Sequence, residues 1–471
     1  MTECKRSSYQ FQRLARRRVE GNFQGGIITS DGGGLLLSEV DSRFGVLGQF
    51  AACFTDHRDP DLIEHTVEEL VAQRVYGLAL GYEDLTDHDD LRRDPLLATL
   101  VGKTDPIGEH RIRERDRGKA LAGKSTLNRL ELTAPDADAS ERYKKIVADP
   151  EKIDDLFVDL FLQMHEKPGD RIVLDLDATD DPIHGNQEGR FFHGYYKEYC
   201  YLPLYIFCGD FLLRARLRQA NGDASGGTVE ELSRIVPQIR QSWPKVEIVI
   251  RADSGFCREE IMAWCEASGV DYILGLAKNE RLKKEIEEEM TEAKLEYERT
   301  GRGARVFKDF VYQTRNSWSR ARRVIGKAEH LEKGSNPRFI VTSIPAEEID
   351  ARSLYENEYC ARGEMENRIK EQQQYLFADR TSAGVMLANQ LRLWFSSMAY
   401  VMMNALRRFG LVGTEMERAQ CHTVREKLFK IGALVRVSIR RVRVFLASGY
   451  PYERIFAAVY DNLRALHPLR C

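Results

Sequence analysis

Apolar positions along this chain change period twice, and the changes divide it. Between residues 60 and 103, Leu62, Val67, Leu70, Val71 and Val75 recur at helical spacing, which predicts helices. From Arg171 the period becomes that of a strand: Arg171-Ile-Val-Leu-Asp-Leu-Asp177, launched by the turn Lys167-Pro-Gly-Asp170. Two further strands, 201–208 and 211–219, are joined by a Gly-Asp turn. An amphipathic helix over 228–243 stops before Pro244, and 246–253 is again a strand. A helix over 258–268 ends at Gly269, and 271–277 is the fifth strand. Three strands, helix, strand, helix, strand is the order of an α/β unit with a mixed five-stranded sheet.

The flanks read differently. Residues 1–55 are Gly-rich and irregular, with TSDGGG at 29–34. An Arg- and Lys-rich loop covers 110–124, a short helix starts near Ser125, and 133–140 has the polar, Pro-containing look of a linker. A charged helix over 279–298 and strand-like runs at 304–313 and 338–343 precede helices from about 354 onward. The expected organisation is a mainly helical N-terminal region (1–135), a linker helix (136–170), an α/β domain from 171–278 and 354–471, and a β-rich insertion at 279–353.

Composition narrows the class only a little. The chain has 471 residues and 43% hydrophobic content, with no apolar run near the roughly 18 residues that span a membrane. MTECKRSSYQFQRLARRR contains no apolar stretch of a secretory signal, and nine cysteines without a CxxC pair suggest reduced thiols. A cytoplasmic location is expected. Net charge is −3, unlike a uniformly basic DNA-coating protein. Basic residues do gather at the start (Lys5, Arg6, Arg13, Arg16, Arg17, Arg18) and between Arg407 and Arg443. A polyanion could meet those faces.

Three short stretches carry candidate chemistry. In VLDLDATDDPIHG (173–185), Asp175 and Asp177 point to one side of a strand while Leu174 and Leu176 point to the other. Two carboxylates on one face suit a metal site, an edge strand or ion pairs to an arginine. Asp180 and Asp181, just before Pro182, have the look of turn-formers. In RADSGF (251–256), Asp253 ends a strand, where open α/β sheets bind ligands; an aspartate capping the next helix reads equally well. In YCARGEMENRIKE (359–371), Tyr359, Arg362, Glu366, Lys370 and Gln373 fall on one helical stripe at about 100° per residue. The competing reading is a solvated face with an i,i+4 pair such as Glu366–Lys370. Together, two strand-end aspartates and a helical glutamate form an all-oxygen donor set of the kind Mg²⁺ takes. Gly118-Lys-Ala-Leu-Ala-Gly-Lys-Ser125 matches the P-loop string, but no buried strand precedes it, so it reads as a chance match.

In this order the motifs resemble those of the DDE insertion-sequence transposases, which have an RNase H-like fold, a YREK motif and a β-rich insertion. The words DLDATDDPIHG, HGYYKEYCYLPLYIF, RADSGFC and YCARGEMENRIKE resemble the group numbered thirteen-eighty, as do TSDGGGLLL, STLNRLE and ANQLRLWFSSMAY. The resemblance implies a metal-binding catalytic triad of Asp177, Asp253 and Glu366, with Asp175 as an alternative ligand. It also implies DNA contacts from Tyr359 and Arg362 and two Mg²⁺ ions, for which Mn²⁺ can substitute. The motif's lysine position holds Gln373, so Lys370 on the same stripe is the substitute. The partners implied are the element's double-stranded inverted-repeat ends and target DNA, cut and pasted by a nucleoid-associated homodimer. Trp318, in the insertion, is expected either to stack a flipped base or to pack in the sheet. Thr126 and Arg129 belong either to a DNA-reading helix or to a small bundle. His184 and His193 read as loop residues.

Overall fold

Alternation of Val, Leu and Asp over 173–177 does produce a strand, and its place in the sheet decides what each aspartate meets. The computed structural model describes residues 8–165, 167 and 169–466; Lys5, Arg6 and Pro168 lie outside them. Two compact units are present. One spans Ala148–Asn404, and the other joins the described residues up to Val147 to those from Ala405 onward.

The central unit begins with helix α1 (Pro150–Gln163), capped by Asp149, whose carboxylate accepts the N–H groups of Glu151 and Lys152. Strands β1 (Arg171–Ala178), β2 (Leu204–Cys208) and β3 (Phe211–Arg216) follow, then helix α2 (Thr228–Ser242) and strand β4 (Glu247–Ala252). Helix α3 (Glu259–Ser268) ends at Gly269, which takes φ 60°, and strand β5 (Asp271–Leu276) completes the expected set. β1, β4 and β5 run parallel, while β2 is antiparallel to both β1 and β3.

The expected five-stranded sheet is larger than that. β6 (Ala304–Tyr312), β7 (Arg322–Leu331) and β8 (Arg338–Thr342), from the insertion, continue it in the order β3-β2-β1-β4-β5-β8-β7-β6, and Gly334–Ser335 adds a short ninth strand beside β7. Leu274 of β5 pairs with Val341 of β8, so the insertion's first neighbour is the sheet itself. One apolar cluster spans the join: Val249, Ile273, Ile325, Ile340, Ile344, Leu354 and Tyr355. Burying each such aliphatic side chain stabilises by about 1.5–3 kcal/mol, which favours one core over two.

The helix α1, expected as a linker, is a layer of this unit. Its apolar face (Ile153, Leu156, Phe157, Leu160, Phe161) packs on β3, with the Phe161 and Phe211 rings 5.5 Å apart. Beneath it Arg214, wholly buried, lies 3.0 Å from Asp154 and 2.8 Å from Glu231, tying α1, β3 and α2 together.

In the other unit, TSDGGG is not irregular. Its glycines make a tight turn leading into a helix over Leu35–Phe44, whose Leu36, Leu37, Val40 and Phe44 are buried at helical spacing. Asp31 accepts hydrogen bonds from the Tyr82 hydroxyl (2.6 Å) and the Lys430 ammonium (2.6 Å), and the Gly32 N–H donates to the Ile431 carbonyl. Residues 433–446, expected as helical, form a hairpin, Ala433–Ser438 with Arg441–Leu446. The cause is visible: Val435 and Val437, Val442 and Val444 are β-branched residues two apart. Among the described residues no helix is long and apolar enough to cross a membrane.

A Cβ at Gly33 would lie 1.6 Å from the Leu428 carbonyl oxygen, whereas one at Gly34 would meet only the Leu100 side-chain end at 3.0 Å. Gly33→Ala should therefore destabilise by about 1–3 kcal/mol or more and Gly34→Ala clearly less. Thermal unfolding of both variants checks this; equal melting temperatures would remove the argument.

Candidate active site

Register places the two strand-end aspartates. Parallel pairing sets Arg251 opposite Asp175 and Ala252 opposite Leu176. The next step along both chains sets Asp253 beside Asp177, at the carboxyl ends of neighbouring parallel strands. Asp175 and Asp177 share a face, as the alternation requires, yet they meet different partners. Arg251 chelates Asp175, Nε to Oδ1 at 2.5 Å and Nη2 to Oδ2 at 2.7 Å. Both carboxylate oxygens of Asp175 are thus engaged inside the protein. Asp177 keeps an 18% exposed side chain and receives one hydrogen bond, from the Ala178 N–H.

Asp253 fulfils part of the capping alternative. Its Oδ1 accepts the Gly255 N–H at 2.8 Å, closing a single 3₁₀ turn (Ser254–Phe256) that precedes α3. The third carboxylate arrives on a helix that is less regular than a uniform stripe assumes. The chain is wound wide, π-like, over Leu354–Tyr359 and tight, 3₁₀, over Cys360–Arg362, before regular helix α4 (Gly363–Leu376). Such pitch changes recur at functional sites. Here Arg362 swings between carboxylates: Nη2 is 2.7 Å from Glu366 and Nη1 is 3.6 Å from Asp177.

Asp177, Asp253, Arg362, Glu366, Lys370 and Gln373 line one cavity of about 760 Å³. Burial pushes the Asp177 carboxyl up to about 6; Arg362 opposes the shift, while the nearby charges of Asp253 and Glu366 add to it. Burial works against the Arg362 cation, but Asp177, Tyr359 and Glu366 hold its pKa above the usual value. Among the described residues no three His, Cys, Asp or Glu side chains are grouped closely enough to hold an ion. The guanidinium lies between two of the carboxylates instead. The donor set nevertheless suits a hard divalent cation: only oxygens, and more negative charge than one arginine balances.

Tyr359 stands behind the site. A Cβ on Gly275 would come within 2.6 Å of the Tyr359 hydroxyl and 2.8 Å of the Ser254 nitrogen, so glycine there lets the phenol approach the end of β4. Gln373 does not replace a lysine charge. Its amide donates to the Asp180 carbonyl (3.1 Å) and to Asp181 Oδ1 (2.9 Å). Asp181, read as an exposed turn-former, is instead fully buried in a short strand with Pro182, and burial drives its pKa well up. Lys370 is exposed on the cavity wall.

Trp318 is 7% exposed, with the Tyr312 ring edge-on at 5.8 Å and the Arg322 guanidinium over its face at 5.5 Å. Of the two expectations, packing holds and an open stacking face does not. Arg129 belongs to the other unit, over the Tyr143 ring at 4.6 Å. His193 lines the cavity, beside Tyr195 and Tyr196, which sequence reasoning passed over. Tyr195 is 82% exposed; two adjacent tyrosines after a glycine, in GYYK, were the available signal.

The family described as Transposase DDE domain group 1 matches residues 11–468. No curated protein matches the chain.

An Asp177 pKa raised in the folded state makes its ionisation destabilising. Below the ordinary carboxyl value both states are protonated. As pH rises toward 6 the unfolded chain ionises first, so stability falls through that window and stays reduced above it. Asp177→Asn should raise the stability of metal-free protein by about 1–3 kcal/mol at pH 8 and change little at pH 4. Denaturant titrations at both pH values check this; a destabilised Asn variant at pH 8 contradicts it.

Proposed function

Because the chain belongs to the transposase DDE domain family, we propose that it is a DNA transposase with an RNase H-like catalytic unit. It binds the inverted-repeat ends of its own element, hydrolyses phosphodiester bonds there and joins the freed 3′-OH ends to target DNA. The observation that carries this reading is the convergence of Asp177, Asp253 and Glu366, from two strand ends and a helix, on one cavity with Arg362. These three carboxylates would hold Mg²⁺, as two ions, with Mn²⁺ as a substitute. When bound, the ions activate the attacking water or 3′-OH and stabilise the leaving oxygen.

The protein's own groups do the positioning. Arg362 neutralises the carboxylates and offers forked donors that match a phosphate diester. Tyr359, held at the end of β4, buttresses Asp253 and the turn after it. Lys370 supplies a cation at the cavity wall. Tyr195 presents an aromatic face to a nucleobase. Pairing two ends calls for at least a dimer in the working complex.

A labelled duplex bearing the DNA that flanks the coding region, incubated with Mg²⁺, tests the reading. Wild-type protein should cut and join; Asp177→Asn, Asp253→Asn and Glu366→Gln should each abolish cutting while retaining DNA binding. Cutting without joining identifies a nuclease, and binding without cutting identifies a transposase-derived DNA-binding protein. Asp175→Asn behaves differently: it leaves Arg251 buried without its partner and lowers stability by about 3–5 kcal/mol. A stable Asp175→Asn that is inactive, beside an active Asp177→Asn, would reverse the assignment of the two. Tyr195→Ala should slow end processing by about 5- to 150-fold, the kinetic equivalent of losing ~1–3 kcal/mol of base stacking, and Tyr195→Phe should not.

A further inference from the structure

The Arg-rich loop before residue 125 belongs to no part of the catalytic cavity, and neither does the P-loop-like string that ends it. In the structure both border a second cavity, of about 430 Å³, contained in the unit that holds the N-terminal residues. Arg58, Arg92, Arg111, Arg113, Arg115 and Arg129 line it, against three carboxylates, Glu64, Asp89 and Asp116. Those carboxylates already have cations. Asp116 meets Arg92 at 3.2 Å, Glu64 meets Arg111 at 3.0 Å, and Asp89 faces Lys124 at 3.4 Å. Arg113 and Arg129 make no ion pair to a carboxylate among the described residues, although Arg129 rests on the Tyr143 ring. The hydroxyl-bearing Ser125 and Thr126 add donors at the start of the helix Lys124–Glu131.

The potential inside is strongly positive. His65, on the wall, accepts a hydrogen bond from Arg111 at 2.9 Å. Burial, then Lys103, Arg111, Arg92 and Arg58, push its pKa down to about 2. It stays a neutral acceptor because a further cation there would be repelled. The string Gly118–Ser125 is not a nucleotide-binding P-loop, since a 3₁₀ turn (Glu114–Asp116) and not a strand stands before it. Its Gly123 and Ser125 nonetheless border the cavity.

We propose that this cleft binds a phosphate ester of the DNA chain, making it a second anchor for DNA apart from the catalytic cavity. Its shape favours one phosphate and its sugar over the broad face of a duplex, because six guanidinium groups surround a recess and do not spread along a surface. The inference rests on the transposase reading for its ligand. The same chemistry would also accept a free phosphate, and the test separates the two.

Full-length wild type, Arg113→Gln/Arg129→Gln and Asp177→Asn are compared by fluorescence anisotropy on the flanking-DNA duplex, in EDTA, across a salt series. The double variant should bind at least about 10-fold more weakly, with the slope of log K against log salt reduced by about 1.8, two phosphate contacts at ~0.9 each. Asp177→Asn should bind as wild type does. In parallel, inorganic pyrophosphate should raise the melting temperature of wild type and not of the double variant. Unchanged DNA affinity and slope in the double variant overturn the proposal. If pyrophosphate still discriminates the two proteins in that case, the cleft takes a free phosphate and DNA is overturned as its ligand. A wild-type protein that binds no DNA at all overturns the transposase reading itself. Melting of the double variant without ligand confirms that it is folded.

Discussion

The paired Asp175 and Arg251 side chains fix the rest of the site. They stand opposite each other on β1 and β4, buried, in a two-point contact that only one register allows. A shift of one residue would turn every side chain of β4 to the other face. It would put Arg251 into the apolar core and Asp253 away from Asp177. A buried ion pair of this kind contributes little net stability against an apolar pair, because desolvation offsets the attraction. Its contribution is selection: wrong registers leave a charge buried alone. Arg251 also donates to the Glu358 carbonyl at 2.5 Å, so the same guanidinium locates the wide turn that carries Tyr359. One arginine therefore aligns two strands and the approach of the helix that brings Arg362 and Glu366.

This explains how legible the site was. Strand order was readable because period-2 runs bounded by turns are local signals. The placement of Asp253 at a strand end followed from the same runs. The choice between Asp175 and Asp177 did not follow, since both face one way and differ only in a partner 76 residues distant. Only the resemblance separated them, and the geometry now gives a physical reason for the difference. The extension of the sheet by β8, β7 and β6 was hidden for a related cause. Strand pairing across an insertion is set by shared burial of residues such as Ile273 and Ile340, and no local pattern records it.

Other misreadings had signals in plain view. Val435, Val437, Val442 and Val444 alternate as a hairpin does, and the expectation of C-terminal helices passed over that period. Leu36, Leu37, Val40 and Phe44 have helical spacing directly after the glycines of TSDGGG. Those glycines dominated the reading, although they serve close packing: the Gly32 N–H meets the Ile431 carbonyl, and Asp31 is held by Tyr82 and Lys430. The helical wheel drawn through Tyr359, Arg362 and Glu366 assumed one pitch where the chain uses three. It still grouped the right residues, because a wide turn followed by a tight one nearly cancels over the interval.

Gln373 shows why position along a stripe is weaker than environment. The stripe offered it as a failed lysine. The structure gives it Asp181, a carboxyl buried so deeply that its neutral form is favoured, and an amide is the suitable partner for a neutral carboxyl. A lysine at 373 would face the same recess with a charge that needs an ionised Asp181. The two positions are therefore coupled: a neutral acid with a neutral amide, or a charged acid with a charged amine. This chain holds the neutral pair, so the loop after β1 is set without adding a cation near Asp177. The positive charge needed at the cavity is left to Arg362 and Lys370, one inside the carboxylate cluster and one at its edge.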